Sequence, residues 1–423
     1  MESTKKGRLL IISNNVLSTT NSNGKTILSY FDSLYFDSVR QLYFSEENPE
    51  ILEYEYYKLS DKDVIKSKFT LASRGKAIKK HQGNNNSCIQ SKRKVKKYGD
   101  LVRLLREIIW IGNWKSKELI TWLDEFDPTT IFFVGGDSCF AYRICIYIKK
   151  RYNARLSLYI TDDYVMPRIY DSIIGKLRRR IIRNYFLKCL KNADVFFTIS
   201  EPMRRAYEKE FGRKSFLAVN MVDSLKDNSI KRNQDKITLI YAGSLYYGRD
   251  IVLNKLSLAI EKYKRQNNQR KIELKVFTNN FLDNNEKKKI SGGKSTKFYE
   301  SIKKEELKVQ LNRADILVFV ESFERKQIEK TKYSLSTKVP EYLSLHKPIL
   351  AIGPMEIGSI QYLKDVSQCV SDESQIFEKL RELLDSEYLQ SKISDLAEKK
   401  YCRYNMKQTV QERFLKEVFG ILD

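Results

Sequence analysis

One feature constrains this chain more than any other: short apolar runs alternate with longer stretches of helical spacing. The runs are rich in β-branched and aromatic residues, the composition of buried strands. In the first half they predict strands at Arg8–Ser13, Ile131–Gly135, Leu156–Thr161 and Val195–Ser200. Between them, helical spacing covers Lys25–Val39, Leu101–Phe126, Phe140–Tyr152, Ile169–Lys191 and Pro202–Phe211. The second half repeats the scheme, with strands at Ile237–Ala242, Ile272–Thr278, Asp315–Val320 and Pro348–Ile352 and an amphipathic tail from Gln375 to Leu422. Such alternation implies parallel sheets with helices on both faces. At 423 residues the chain exceeds the roughly 250–300 at which one hydrophobic core stops growing. The expectation is therefore an α/β fold of two doubly wound domains, residues 1–222 and 223–400, parted at the polar stretch Val222–Lys236. A terminal helix over 401–423 is placed to cross back to the first domain. In open sheets of this kind ligands bind at the carboxyl ends of the strands, so candidate residues are sought there.

Charge narrows the partners. Lys and Arg number 77 against 53 acidic residues, a net +24. Residues 1–220 alone hold 40 basic and 24 acidic groups. Segment 64–98 carries eleven basic residues and no acid, and Pro167–Lys191 carries eight against one, Asp171. A field of this kind recruits polyanions: nucleic acid, anionic lipid headgroups or phosphorylated small molecules. The 26 tyrosines are spread through predicted helices and strands instead of clustering on a basic face, and no nucleic-acid module is recognisable. A nucleic-acid-binding protein is therefore the lesser alternative. No apolar run approaches the ~18 residues of a membrane span, and the run around Leu9–Ile12 is too short for a signal-peptide core of about 7–15. Six cysteines without a CxxC pair fit reduced thiols, and a cytoplasmic location is expected. With only His81 and His346, histidine-rich zinc chemistry is nearly excluded, and no metal site is expected.

Several motifs fall at predicted strand ends. Ser13–Thr26 ends in Gly24-Lys25-Thr26, which mimics a phosphate-binding P-loop, but the first glycine of that motif is replaced by Thr19. Gly24 and Lys25 are read instead as an acceptor-side loop, with Gly24 admitting close backbone approach of a ligand. Gly135–Gly136–Asp137 and Asp162–Asp163 follow two other strands. Asp137 or Ser138 can cap the next helix. The adjacent carboxylates of Asp162 and Asp163 lack the spacing of a chelating D-x-D pair, so a cap or an acceptor hydroxyl is expected there in place of metal. Asp137 and Asp163 are the carboxylates placed nearest the acceptor. In Ser334–Pro354, Ser336 and Thr337 can cap a helix starting near Val339. Lys338 and Glu341 then share one face at i, i+3, suited to a diphosphate and to ribose hydroxyls respectively.

That stretch resembles the donor helix of GT-B glycosyltransferases, particularly family 4-like enzymes of bacterial surface polysaccharide synthesis. Ser336, Lys338, Glu341, Tyr342, Lys347 and Pro348 fall in register with the pattern. Further matches follow in chain order: Ser200–Glu201 with Met203, Tyr207 and Phe211–Gly212; Asn220 and Asp223; Tyr241–Ala242–Gly243–Ser244 with Gly248–Arg249; and Ala314–Asp315. Three positions depart from it. Tyr333 stands where many relatives carry the first glutamate of a Glu-x7-Glu pair, which is missing or displaced to Glu329, Ser244 where a basic residue often follows the loop glycine, and His346 at a usual glycine. The resemblance implies two Rossmann-like domains facing a central cleft, with the nucleotide-diphosphate sugar on the C-terminal one. It further implies Gly243, Ser244, Arg249, Ser336, Thr337, Lys338 and Glu341 at the donor, and sugar transfer with retention to a glycan or lipid-linked acceptor. A UDP-sugar is the expected donor, as substrate, with no cofactor. The basic N-terminal half is expected to dock peripherally on the anionic inner face of the cell membrane. A nucleotide-sugar epimerase of similar fold is the second alternative.

Overall fold

The computed structural model describes residues 7–19, 22–31, 38–69, 74–79, 99–230, 235–267, 270–300 and 302–419. His81, Cys88 and residues 80–98 of the basic segment lie outside that set. The chain forms two compact units. One comprises residues 1–199, 208–218 and 413–423, and the other 200–207 and 219–412.

The first unit is built on eight strands: β1 (Arg8–Ser13), β2 (Ser38–Tyr43), β3 (Glu55–Lys58), β4 (Lys76–Ile78), β5 (Thr130–Gly135), β6 (Arg155–Ile160), β7 (Val195–Thr198) and β8 (Phe216–Leu217). Their order is β4-β3-β2-β1-β5-β6-β7-β8, parallel throughout except for β4 against β3. Strand order reverses between β1 and β5, where Leu9–Ile12 pair with Thr130–Phe133. These central strands are continuous apolar runs because helices bury both their faces.

The second unit holds β9 (Ile237–Ala242), β10 (Ile272–Phe277), β11 (Thr296–Tyr299), β12 (Ile316–Val320), β13 (Ile349–Ile352) and β14 (Gln368–Val370). All six are parallel, in the order β11-β10-β9-β12-β13-β14. This is the dinucleotide-fold order, with its switch point between β9 and β12. Leu239, Leu256, Ile260, Val318 and Leu380 belong to the core that fixes helices 249–266 and 376–385 onto the sheet.

Several predicted elements are redrawn. The expected helix Leu101–Phe126 is two helices, Asp100–Trp110 and Lys117–Phe126. Gly112 takes φ 72° between them, and Ser116 caps the second through Leu119 N. The amphipathic tail is likewise three helices, Ile376–Asp385, Glu387–Tyr404 and Lys407–Phe419, with Ser386 capping the second. The start of the expected linker is pinned within the second unit. Leu225 N and Asp227 N donate to Ser344 Oγ and Asn312 Oδ1, at 3.3 and 2.9 Å.

His346 does adopt the positive φ of the glycine it replaces, at 52°. A side chain there costs about 1–2 kcal/mol of backbone strain. His346→Gly is therefore expected to unfold at a higher urea concentration than His346→Ala, both having lost the imidazole contact to Glu398. Equal midpoints would show that the turn relaxes without strain.

Candidate functional site

The second unit assembles its site at the carboxyl ends of β9 and β12. Gly243 follows β9, and a Cβ there would come within 2.9 Å of Tyr241 Oη, which itself donates to Ser244 O at 2.6 Å. Tyr247 and Gly248 then take left-handed φ values of 63° and 75°, folding the loop tightly into the helix Arg249–Gln266. A side chain at Gly248 would strike Ser322 Oγ at 2.6 Å, so this turn packs directly on the segment after β12.

Arg249, the first residue of that helix, spans the switch point. Its Nε and Nη2 donate to both carboxylate oxygens of Glu321, at 2.8–3.1 Å. Glu321 sits just beyond β12 and is almost fully buried. Burial works against the arginine's charge, but the Glu321 carboxylate outweighs it and strengthens the guanidinium's hold on its proton. A bidentate pair of this kind fixes the plane of the guanidinium. Sequence reasoning missed Glu321 because it looked for a second glutamate eight residues before Glu341 or nearby at Glu329. A lone carboxylate directly after an apolar strand carries no pattern that would have singled it out.

The segment Ser334–Leu343 supplies the third wall. The helix Lys338–Leu343 is only six residues long. Thr337 occupies its cap without a side-chain cap bond, whereas Ser336 Oγ accepts from Lys338 N at 3.3 Å. So short a helix has little dipole, and any anion attraction here rests on the Lys338 ammonium, correcting the expected helix-end site. Lys338 Nζ lies 3.5 Å from Glu341 Oε2. The buried Tyr342 hydroxyl accepts from Ala242 N at 3.0 Å, which ties this helix to the end of β9. Ser336 is held from the other side, its N donating to Ser359 Oγ at 3.0 Å. All seven expected donor residues thus sit on loops and helix starts at one end of this sheet.

The first unit brings a different set to the ends of β1 and β5. Asn14 lies against Gly136, where a Cβ would come within 2.4 Å of its Nδ2. Its Oδ1 is buried and has no hydrogen-bond partner among the described residues. The loop after β1 is organised by the fully buried Gln41, which donates to Ser13 Oγ and Asn15 O and accepts from Leu17 N. Gly24 has no positive φ. It is a glycine because a Cβ there would meet Val16 O at 2.3 Å, so the close approach is to its own loop and not to a ligand, as had been expected. Lys25 beside it is partly buried.

Asp137 also departs from expectation. Its Oδ2 accepts from Arg103 Nη1 at 2.6 Å and Arg178 Nη2 at 2.7 Å. Burial raises the cost of its charge, yet Arg178 and Arg103 prevail and hold the carboxyl below its ordinary range. Such a carboxylate is a poor proton acceptor, so the geometry makes Asp137 an anchor for two arginines instead of a base. Neither Asp137 nor Ser138 caps the following helix, Cys139–Tyr152, through its side chain. Glu107 does so from outside, accepting from Cys139 N and Phe140 N at 2.7 and 2.9 Å. Asp163 is almost fully buried in a turn of its own, where Oδ1 accepts from Val165 N and Met166 N. Arg168 and Arg179 approach its Oδ2 at 3.5 and 3.6 Å, so it too is an arginine-bound turn residue. Asp162 beside it is partly buried. Among the described residues no three His, Cys, Asp or Glu side chains gather as metal ligands.

Two Rossmann-like sheets of this order define the GT-B fold, and solved structures match over nearly the whole chain. Sucrose-phosphate synthase from Thermosynechococcus elongatus is 10% identical with a TM-score of 0.62, covering 98% of this chain and 100% of that one. The UDP-forming α,α-trehalose-phosphate synthase from Burkholderia xenovorans, solved with glucose-6-phosphate, is 12% identical with a TM-score of 0.62 over the same shares. A putative UDP-N-acetylglucosamine 2-epimerase from Listeria monocytogenes also matches, at 11% identity and a TM-score of 0.54, covering 99% of this chain and 98% of that one. At such identities the likeness establishes the fold, which transferases and epimerases share. No protein-family model matches the chain, and no curated protein matches it in sequence.

Proposed function

We propose that this protein is a nucleotide-sugar-dependent glycosyltransferase that holds a UDP-sugar on its second unit and the acceptor on its first. The observation that carries this reading is the Arg249–Glu321 pair across the β9/β12 switch point, beside the glycine loop and Lys338. Glu321 takes the Nε–Nη2 edge of Arg249 and orients the remaining Nη1 toward a diphosphate. Charge developing on that leaving group would be met by Arg249, by Lys338 and by amides of the Ser244–Arg249 turn, electrostatics that are preorganised and need no metal. Glu341 would accept the ribose hydroxyls. On the first unit, the orphaned Asn14 Oδ1 would accept from an acceptor hydroxyl. The acceptor would be a glycan or lipid-linked saccharide of cell-surface polysaccharide synthesis, reached at an anionic membrane, and transfer would retain configuration. Among the described residues no helix is long and apolar enough to cross a membrane, so attachment would be peripheral.

A donor-hydrolysis screen over UDP- and GDP-sugars tests the reading, and turnover is expected with a UDP-sugar in the presence of EDTA. Activity abolished by EDTA and restored by manganese would replace the arginine–lysine account. Conversion of UDP-N-acetylglucosamine to its epimer without transfer would favour the epimerase. Lys338→Ala and Glu341→Ala are each expected to lower donor-dependent rate about ten- to a hundredfold, the worth of one charge-assisted hydrogen bond. Wild-type kinetics in both, with intact circular dichroism, would remove this helix from the site.

A further inference from the structure

Helix Asp100–Trp110 is built inside out. Its four charged side chains are all partly buried and bound to partners in the rest of the unit. Asp100 meets Arg178 and Ser172, Arg103 binds Asp137, Arg106 binds Asp61 and Ser138, and Glu107 caps the helix Cys139–Tyr152. Its exposed residues are all aliphatic: Leu101, Val102, Leu105 and Ile108, at 47–60% exposure. A surface helix of a water-soluble domain carries the opposite arrangement. Misplaced polarity does not explain it, because each of these charges has a specific partner.

The apolar face continues onto a neighbour. Asp100 lies against Gly175, where a Cβ would come within 2.9 Å of its Oδ2. This sets Leu101 beside the first turns of helix Ile173–Asn192, where Ile173 is 87% and Leu177 51% exposed. That second helix carries seven basic residues and no acidic one. Lys176 and Arg180, both exposed, flank Ile173 and Leu177 at helical spacing. Apolar side chains rimmed by cations that have no acidic partner among the described residues complement a surface with an anionic skin and an apolar interior. A second copy of the chain would instead bring like charges together across an isologous contact.

We infer that Leu101, Leu105 and Ile108, with Ile173 and Leu177, form a lipid-inserting face on the first unit. Lys176 and Arg180 meet anionic headgroups at its edge. This rests on the peripheral-membrane part of the proposed function and assigns it to particular residues. The same helix holds Arg103 against Asp137 at the end of β5, so lipid contact is made beside the strand ends where the acceptor would bind.

Co-sedimentation of the full chain with phosphatidylcholine vesicles, with and without phosphatidylglycerol, provides the test. Binding is expected to need phosphatidylglycerol and to weaken with salt, and hydrogen exchange across residues 100–111 is expected to slow on the vesicles. Leu105→Glu with Ile108→Glu should weaken binding about a hundredfold or more, since both side chains lose their apolar burial. Lys176→Ser with Arg180→Ser should remove much of the salt-sensitive part. If the glutamate variant misfolds, Leu105→Ser with Ile108→Ser replaces it. Vesicle binding unchanged in the folded variants, or exchange unaltered at 100–111, overturns the assignment. So does a wild-type dimer that these substitutions turn into monomers while vesicles are ignored. UDP binding measured by calorimetry without vesicles keeps the two readings apart. Its absence from the wild type would sink the transferase reading and leave the lipid result standing.

Discussion

Arg249→Ala is expected to lower kcat/KM for the UDP-sugar by about 10²–10³-fold, the usual effect of removing one preorganised donor from a developing anion. Glu321→Gln should cost less, because the guanidinium keeps its charge and loses only part of its orientation. The double variant Arg249→Ala, Glu321→Gln should fall no further than Arg249→Ala alone, since the carboxylate acts through the arginine. Steady-state kinetics with each variant measure this directly. Additive losses would mean that Glu321 has a separate role at the substrate, and wild-type kinetics in Arg249→Ala would remove the switch-point pair from the site altogether.

The second large effect lies in stability. Asp137→Asn leaves Arg103 and Arg178 facing an amide, and removing one member of a buried ion pair costs ~3–5 kcal/mol. Because Arg103 is partly exposed, about 2–3 kcal/mol is expected here, read as a lower urea midpoint. The pH dependence has a definite sign. The native carboxyl titrates below its ordinary value of about 3.9, so its contribution is complete above that pH and is lost as pH falls through the depressed native value. The gap between wild type and variant should therefore be constant from neutral pH down to about 4 and close below it. A gap that persists unchanged into stronger acid would show that the loss comes from packing and not from charge.

The central strands were legible because burial on both faces leaves an unbroken apolar run, as in Leu9–Ile12 and Ile237–Ala242. Interior strands interrupted by polar residues were not. Ser38–Tyr43 reads SVRQLY, with Arg40 and Gln41 in its middle, and only the structure shows that Arg40 pairs with Glu55 and Gln41 serves the loop after β1. At the proposed donor site, spacing and resemblance had pointed to Lys338, Glu341 and Arg249. They had not pointed to Glu321, since a single carboxylate after a strand carries no pattern. Asp137 and Asp163 were found but misread. A sequence shows an acid at a strand end, whereas the arginines that hold it come from helices 34 and 41 residues away for Asp137. Helix Asp100–Trp110 was hidden for a related reason: its amphipathic pattern was plain, but periodicity does not say which face turns outward.

Phe414 belongs to the first unit although it lies far along the chain from that unit's first stretch, 1–199. Its ring stacks on Tyr30 at 4.4 Å and meets Phe132 and Phe197 at 5.8 and 5.0 Å. The earliest strands to leave a ribosome therefore wait for a late helix to close their aromatic core. At the usual pace of synthesis, about 5–20 residues per second, the delay is roughly 10–40 seconds. Through that interval the nascent first unit keeps an uncovered aromatic hollow beside β5 and β7, a natural point of engagement for chaperones during translation.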